Sequence, residues 1–131
     1  MGDPRKYDSP LLFEQGGEVW LLGRRNVTED GNYDLGYREM DDDEQTLAYE
    51  AAYWNERKRC SLWRVDAEAL AVSWVLDLPS RGDTCFPSAI DRGDGAWEVW
   101  NYSSPVDGPD PTWLEGQLAD TYLYRQTLRF P

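Results

Sequence analysis

The sequence predicts an all-β protein built from repeated antiparallel meanders, and three observations carry that prediction. Apolar and aromatic side chains alternate with polar ones through Trp97-Glu98-Val99-Trp100, a period of two that suits a half-buried strand. An Asp94-Gly95 pair sits between this run and the one before it, the strongest short-range signal for a hairpin turn. The hairpin also has an earlier copy, in which Asp8-Ser9-Pro10-Leu11-Leu12-Phe13-Glu14 leads through Gln15-Gly16-Gly17 into Glu18-Val19-Trp20-Leu21-Leu22-Gly23-Arg24-Arg25. A further echo follows each copy: Cys60-Ser61-Leu62-Trp63-Arg64-Val65 after the first and Tyr122-Leu123-Tyr124-Arg125-Gln126-Thr127 after the second. Repeated units of several strands, none able to bury its faces alone, point to a radial or stacked architecture.

The elements follow in order. The first hairpin ends near Arg25, and Asn26 to Arg59 is then too long for an ordinary strand connection. Within it Leu47, Ala51 and Trp54 stand at helical spacing, Asp43 and Glu44 lie in the first turn, and Arg57, Lys58 and Arg59 follow, which suits a helix dipole. The stretch Asp43 to Glu56 is therefore either a short helix or, given its Tyr and Trp content, an extended ribbon. Strands are expected at Arg59 to Val65 and Ala71 to Leu78, closing a four-stranded meander at Pro79. The second unit supplies Cys85 to Ile90, Trp97 to Tyr102 and Tyr122 to Phe130, with Ser103 to Asp120 as another long loop. We expect one partial β-propeller-like domain over 1–131, made of a blade at 8–79 and an incomplete blade at 80–131. Propellers have about four to eight blades, so the partner is expected to be further copies of the chain or the remainder of a longer propeller. The unmatched strand edge predicts association through the first strand and Tyr122 to Phe130. Trp20, Leu62 and Val99 are expected in the core.

Composition narrows the function. The chain of 131 residues carries a formal net charge of −12, which speaks against nucleic acid or an anionic membrane surface as partner, because phosphates demand Lys and Arg. It contains no histidine, the commonest metal ligand and acid–base residue, so serine or cysteine chemistry with a histidine base is excluded. No metal or cofactor is expected: Asp41-Asp42-Asp43 lacks the glycine and spaced acids of a calcium loop and reads as a solvated acidic turn. Cys60 and Cys85 fit no metal pattern and are read as reduced core thiols. No run approaches the ~20 apolar residues of a membrane span, and the first residues lack a signal-peptide core, so a cytoplasmic location is expected.

Chemistry-bearing residues collect where the hairpins open. Arg81, Asp83 and Thr84 precede one strand while Tyr102, Ser103 and Ser104 end its partner, so antiparallel pairing brings both sets to one edge. In the first copy Asp8 precedes the hairpin and Arg24 and Arg25 end it. Equivalent positions in neighbouring units would face the same mouth.

Gly82-Asp83-Thr84-Cys85-Phe86-Pro87-Ser88-Ala89-Ile90, Asp94-Gly95 and Trp100-Asn101-Tyr102-Ser103-Ser104 resemble the Asp-Thr-x-(Tyr/Phe)-Pro-Ser strand, Asp-Gly turn and Tyr-Ser-Ser strand end of sialidase-like propeller proteins. Asp8-Ser9-Pro10-Leu11-Leu12-Phe13 is similar to the Glu-(Ser/Gly)-Pro-x-(Leu/Phe) opening of a blade in five-bladed glycoside hydrolases. That resemblance implies a general acid at Asp8, where the family has Glu, with the other catalytic carboxylates in blades this chain does not contain. The nucleophilic tyrosine and arginine triad of the sialidases have no secure match, although Tyr102, Arg24 and Arg25 lie near the relevant strand ends. Glycoside hydrolysis needs two carboxyl groups roughly 5–9.5 Å apart, and Asp8 and Asp83 are the candidate catalytic pair. Arg24, Arg25, Arg81 and Tyr102 are the candidate substrate-binding residues. The expected function is a carbohydrate-active or carbohydrate-binding propeller fragment, catalytic only if completed by other blades or copies. The alternative is a non-catalytic, self-associating interaction module, in which Asp8 and Asp83 are turn residues.

Overall fold

A computed structural model describes residues 2–131 and is mostly β, with 42% of residues in strands and 13% in helices. Four strands, β1 (Leu11–Gln15), β2 (Glu18–Asn26), β3 (Lys58–Asp66) and β4 (Ala71–Leu78), form an antiparallel meander in sequence order. Three more, β5 (Ser88–Gly93), β6 (Ala96–Ser103) and β7 (Tyr122–Arg129), form a second. The turns explain the registers. Gly16 and Gly17 have φ of 65° and 78°, and Asp94 and Gly95 of 53° and 70°, so both hairpins turn through two left-handed residues, the twist that matches paired strands. The first pairs Gln15 with Glu18 and the second pairs Gly93 with Ala96.

The two sheets share one core. Leu22, Cys60, Leu62 and Leu78 from the first meet Val99 and Leu128 from the second, with Cys85 between them. Phe13 of β1 packs 4.5 Å from Trp97 of β6, ring centre to ring centre, and Trp20 of β2 packs 4.8 Å from Phe130. Each such ring removes enough apolar area from water to stabilise the pairing by about 1.5–3 kcal/mol. Val99 is fully buried and Leu62 almost so, whereas Trp20 keeps partial exposure. Its indole N–H donates to the Gln15 carbonyl at the hairpin end, which holds the ring at the rim.

Two sequence expectations change, and one open alternative is decided. Cys60 and Cys85 are joined in a disulfide across 25 residues of sequence, not left as thiols; face-to-face packing of the two units brings their Cα atoms within 5.1 Å, a proximity that spacing alone does not show. The strand expected from Cys85 begins only at Ser88. Pro87 has no N–H for a ladder, and the Phe86 N–H donates to the Asn101 side chain instead. The insertion is helical, α1 (Asp42–Trp54), capped by the Asp41 side chain on the Glu44 N–H, with three acids in its first turn where the dipole favours them. Its buried face is not the apolar stripe, since Leu47 is 69% exposed while Tyr49 and Tyr53 are buried. These tyrosines stand four residues apart on one face and have carboxylate partners for their hydroxyls, Asp34 and Asp8.

A second short helix, α2 (Trp113–Gly116), interrupts the loop after β6 and is closed by a capping box between Thr112 and Glu115. Among the described residues, no helix is long and apolar enough to cross a membrane.

Candidate functional site

The antiparallel meanders place the start of β1, the end of β2, the approach to β5 and the end of β6 at one end of the molecule, and α1 and α2 lie against the same end, α1 through Tyr53 on Asp8 and α2 through Trp113 under Arg24. Arg24 organises it. Only 8% exposed, its guanidinium donates through Nη1 to Asp8 Oδ2 at 3.2 Å, through Nη2 to the Tyr102 hydroxyl at 3.4 Å, and through Nε to the Thr84 carbonyl. It also sits 5.6 Å from the centre of the Trp113 ring, within cation–π range. A fork of donors in fixed geometry is what guanidinium offers and ammonium does not. Burial disfavours the Arg24 charge, but Tyr53, Tyr102 and Asp8 together outweigh it and raise its pKa.

Asp8 precedes Ser9, a non-glycine residue with φ of 49°, and Pro10, and this bend turns the carboxylate toward β2. Its Oδ2 accepts from Tyr53 at 2.6 Å as well as from Arg24, with the Lys6 ammonium 3.8 Å away. Oδ1 accepts no hydrogen bond among the described residues, and the side chain is 29% exposed. Burial, first, and the bond to Asp8 push the Tyr53 hydroxyl far above the ordinary phenol range, while the Arg24 charge opposes the shift. Burial and then the Asp83 charge likewise raise Tyr102, so Asp83 acts on the same hydroxyl that Arg24 reaches. The backbone of Asp83 is tied to Ser104, whose Oγ accepts its N–H at 3.1 Å.

Asp8, Arg24 and Tyr102 therefore form one chain of hydrogen bonds that crosses from the first sheet to the second, with the Asp83 charge close enough to raise the Tyr102 hydroxyl. Arg25 and Arg81 lie outside it. Arg25 follows Arg24 in β2, so it takes the opposite face and pairs with Asp77 at 2.7 Å. Arg81 donates to the Gly108 carbonyl beside an ion-pair cluster in which Arg59 meets Asp110 at 2.6 Å. Sequence reasoning missed Tyr53, Lys6, Lys58 and Trp113. Tyr49 and Tyr53 at helical spacing were the available signal for the first; the rest depend on how the insertion and the second loop fold back. Lys58 is fully buried, 4.0 Å from the Tyr53 ring centre, and its Nζ donates to the Tyr53 and Glu56 carbonyls. Burial lowers its pKa to about 7.

No protein-family model, curated protein or solved structure matches the chain.

The function is thus read from the cluster itself. Among the described residues, no group of three or more His, Cys, Asp or Glu side chains is arranged to hold a metal ion. What the site presents to a ligand is a free carboxylate oxygen on Asp8, the Asp83 carboxylate and the Tyr102 hydroxyl, beside the Trp113 ring. Arg24, with its donors spent on protein acceptors, positions these groups.

Proposed function

We propose that the chain is a carbohydrate-binding unit of β-propeller type, similar to the sialidase-like proteins and five-bladed glycoside hydrolases, whose ligand edge is completed by further blades or further copies. The observation that carries this reading is the Arg24 bridge, which joins the Asp8 of one repeat to the Tyr102 and Asp83 end of the other. Carboxylates accept from sugar hydroxyls, a phenol both gives and accepts, and an indole face takes the apolar side of a pyranose ring. Binding, not cleavage, is the activity proposed for the chain alone, because Asp8 Oδ2 is already committed to two donors. The test is a titration with neutral and acidic oligosaccharides, followed by backbone amide NMR. Saturable shifts at Asp8, Asp83 and Tyr102, weakened modestly by Asp8→Asn with no cleavage by either protein, support it. Saturable binding that ignores Asp8→Asn, or no binding across the panel, overturns it, and cleavage abolished by Asp8→Asn moves the reading to catalysis.

A second reading, self-association, is favoured by the three-stranded second sheet, whose last strand leaves its outer edge unpaired and exposes Tyr122 and Leu123 at 50% and 67%. Sedimentation of the chain as a monomer at high concentration would remove it.

A further inference from the structure

A cavity of about 100 Å³ lies between α1 and the loop after β2, lined by Tyr33, Tyr49 and Tyr53, by the Asp30 and Glu56 side chains, and by Asn26. A water needs only about 10–15 Å³ of such space, so the cavity takes a group of several heavy atoms. The three rings stand nearly at right angles: Tyr33 and Tyr49 meet at 85° and Tyr33 and Tyr53 at 77°. Each hydroxyl points away to a carboxylate, Tyr33 to Glu50 at 2.6 Å, Tyr49 to Asp34 at 3.0 Å and Tyr53 to Asp8 at 2.6 Å. Donation to an anion pushes electron density back into a phenol ring, which favours positive charge over Tyr33 and Tyr53, while the Tyr49 hydroxyl also accepts from the Tyr37 N–H and Arg38.

We propose that this cavity binds a small organic ammonium group. Two further observations support that choice of chemistry. No Lys or Arg lines the cavity, while Asp30 and Glu56 do, so the lining itself carries negative charge, with the Asp30 carboxylate held by Thr28 and Asn32. Two of these tyrosines already hold ammonium groups from their other surroundings: Lys58 Nζ lies 4.0 Å from the Tyr53 centroid, and Lys6 Nζ lies 4.8 Å from the Tyr33 centroid and 4.6 Å from that of Tyr53. Glu50 at 2.7 Å neutralises Lys6, so Lys6 shows the preference of the rings without repelling a second cation strongly. Asn26, which also lines the cavity, is 4% exposed and its Oδ1 accepts no hydrogen bond among the described residues. Recognition of methylated ammonium by tyrosine faces gives discrimination over an uncharged isostere of about 2- to 30-fold.

The cavity shares only Tyr53 with the Asp8 cluster, so its test is independent of the sugar reading. Choline chloride and its neutral isostere 3,3-dimethylbutanol would be titrated at matched ionic strength into the whole chain, with shifts followed at Tyr33, Tyr49 and Tyr53. Saturable binding of choline, tighter than the isostere by the factor above, is the expected result. A trimethyllysine peptide run alongside separates a free ligand from a side chain: tighter peptide binding assigns the site to a protein partner, and weaker binding assigns it to a free ammonium. Ala52→Met, which fills the cavity from a helical position, should abolish binding, and Tyr33→Phe, which keeps the ring but loses its donation to Glu50, should weaken it. If A52M disturbs the fold, Tyr33→Leu reads the loss of a ring face instead. Equal binding of choline and isostere, no saturable shift, or binding indifferent to both cavity variants overturns the proposal.

Discussion

The two sheets bury the same kind of inner face and treat their outer faces differently. Over β2 and β3 the outer face of the first sheet is sealed by the chain's own first residues. Tyr7 stands edge-on to Trp63 with ring centres 5.1 Å apart, Trp63 is 1% exposed, and Arg5 reaches the Val72 carbonyl at 2.8 Å. The outer face of the second sheet carries Ile90, Trp100 and Leu123, with Ile90 at 46% and Leu123 at 67% exposure. Arg125 over Trp100, the Arg92–Glu98 pair and the Trp100 indole N–H on Glu98 cross it. A short N-terminal segment thus does for one sheet what a further layer does in a stacked architecture, and among the described residues the second sheet has no such cover.

The largest effect expected from this contrast is at the sealed face. Trp63→Ala should destabilise by about 3–5 kcal/mol, as for other buried indoles, while Trp100→Ala on the open face should cost about 1–2 kcal/mol. Urea unfolding of the two variants compares them directly, and equal losses would mean that the N-terminal cover contributes nothing. The disulfide comes next, because it ties the sealed unit to the open one. Cys85→Ser with Cys60→Ser releases a loop of 25 residues and should lower stability by about 3 kcal/mol. Hydrogen exchange should then show faster opening of β5–β7 than of β1–β4.

The next effect is in pH, and its rising limb comes from the first unit. Lys58 has a folded pKa of about 7 against an ordinary value of 10.5, so between these the unfolded chain binds a proton that the folded chain does not, and stability rises with pH. The rise is at most about 2.7 kcal/mol over two pH units. Tyr7, Tyr33 and Tyr53 have raised folded pKa values, mainly through burial. Their contribution is whole below the unfolded value of about 10 and is lost above it, so a stability maximum between pH 9 and about 10 is expected. Lys58→Met should flatten the rising limb in melts recorded across that range.

Strand positions were legible because period-two alternation and the Gly-Gly and Asp-Gly turns are local signals, and the acids of α1 announced a helix start in the same way. Antiparallel pairing puts Asp8 beside Arg24 and Asp83 beside Tyr102, and the expectation that all four share one edge rests on the two hairpins being equivalent repeats. The same logic separates Arg24 from Arg25, since consecutive strand residues cannot share a face; the grouping of both arginines in one site overlooked it. The aromatic helix face was hidden because Tyr49 and Tyr53 are buried by virtue of their carboxylate partners, which lie elsewhere in sequence. The Cys60–Cys85 pairing and the role of Trp113 needed the packing of the two units and the return of the last loop, and no local pattern encodes either.

That last loop has a mechanical consequence. Apolar faces resist being pulled apart but offer little resistance to sliding, since one greasy contact replaces another. Residues 104–120 oppose such shear at two points. The Thr112 backbone pairs with Arg57 ahead of β3, and Gly116 fits so closely against Gly82 and Asp83 that a Cβ there would lie 2.2 Å from the Asp83 nitrogen. Pinned to the first unit by one and to the second by the other, the loop acts as a dowel between two plates. It fixes their angular setting, and with it the reach of Arg24 across the joint.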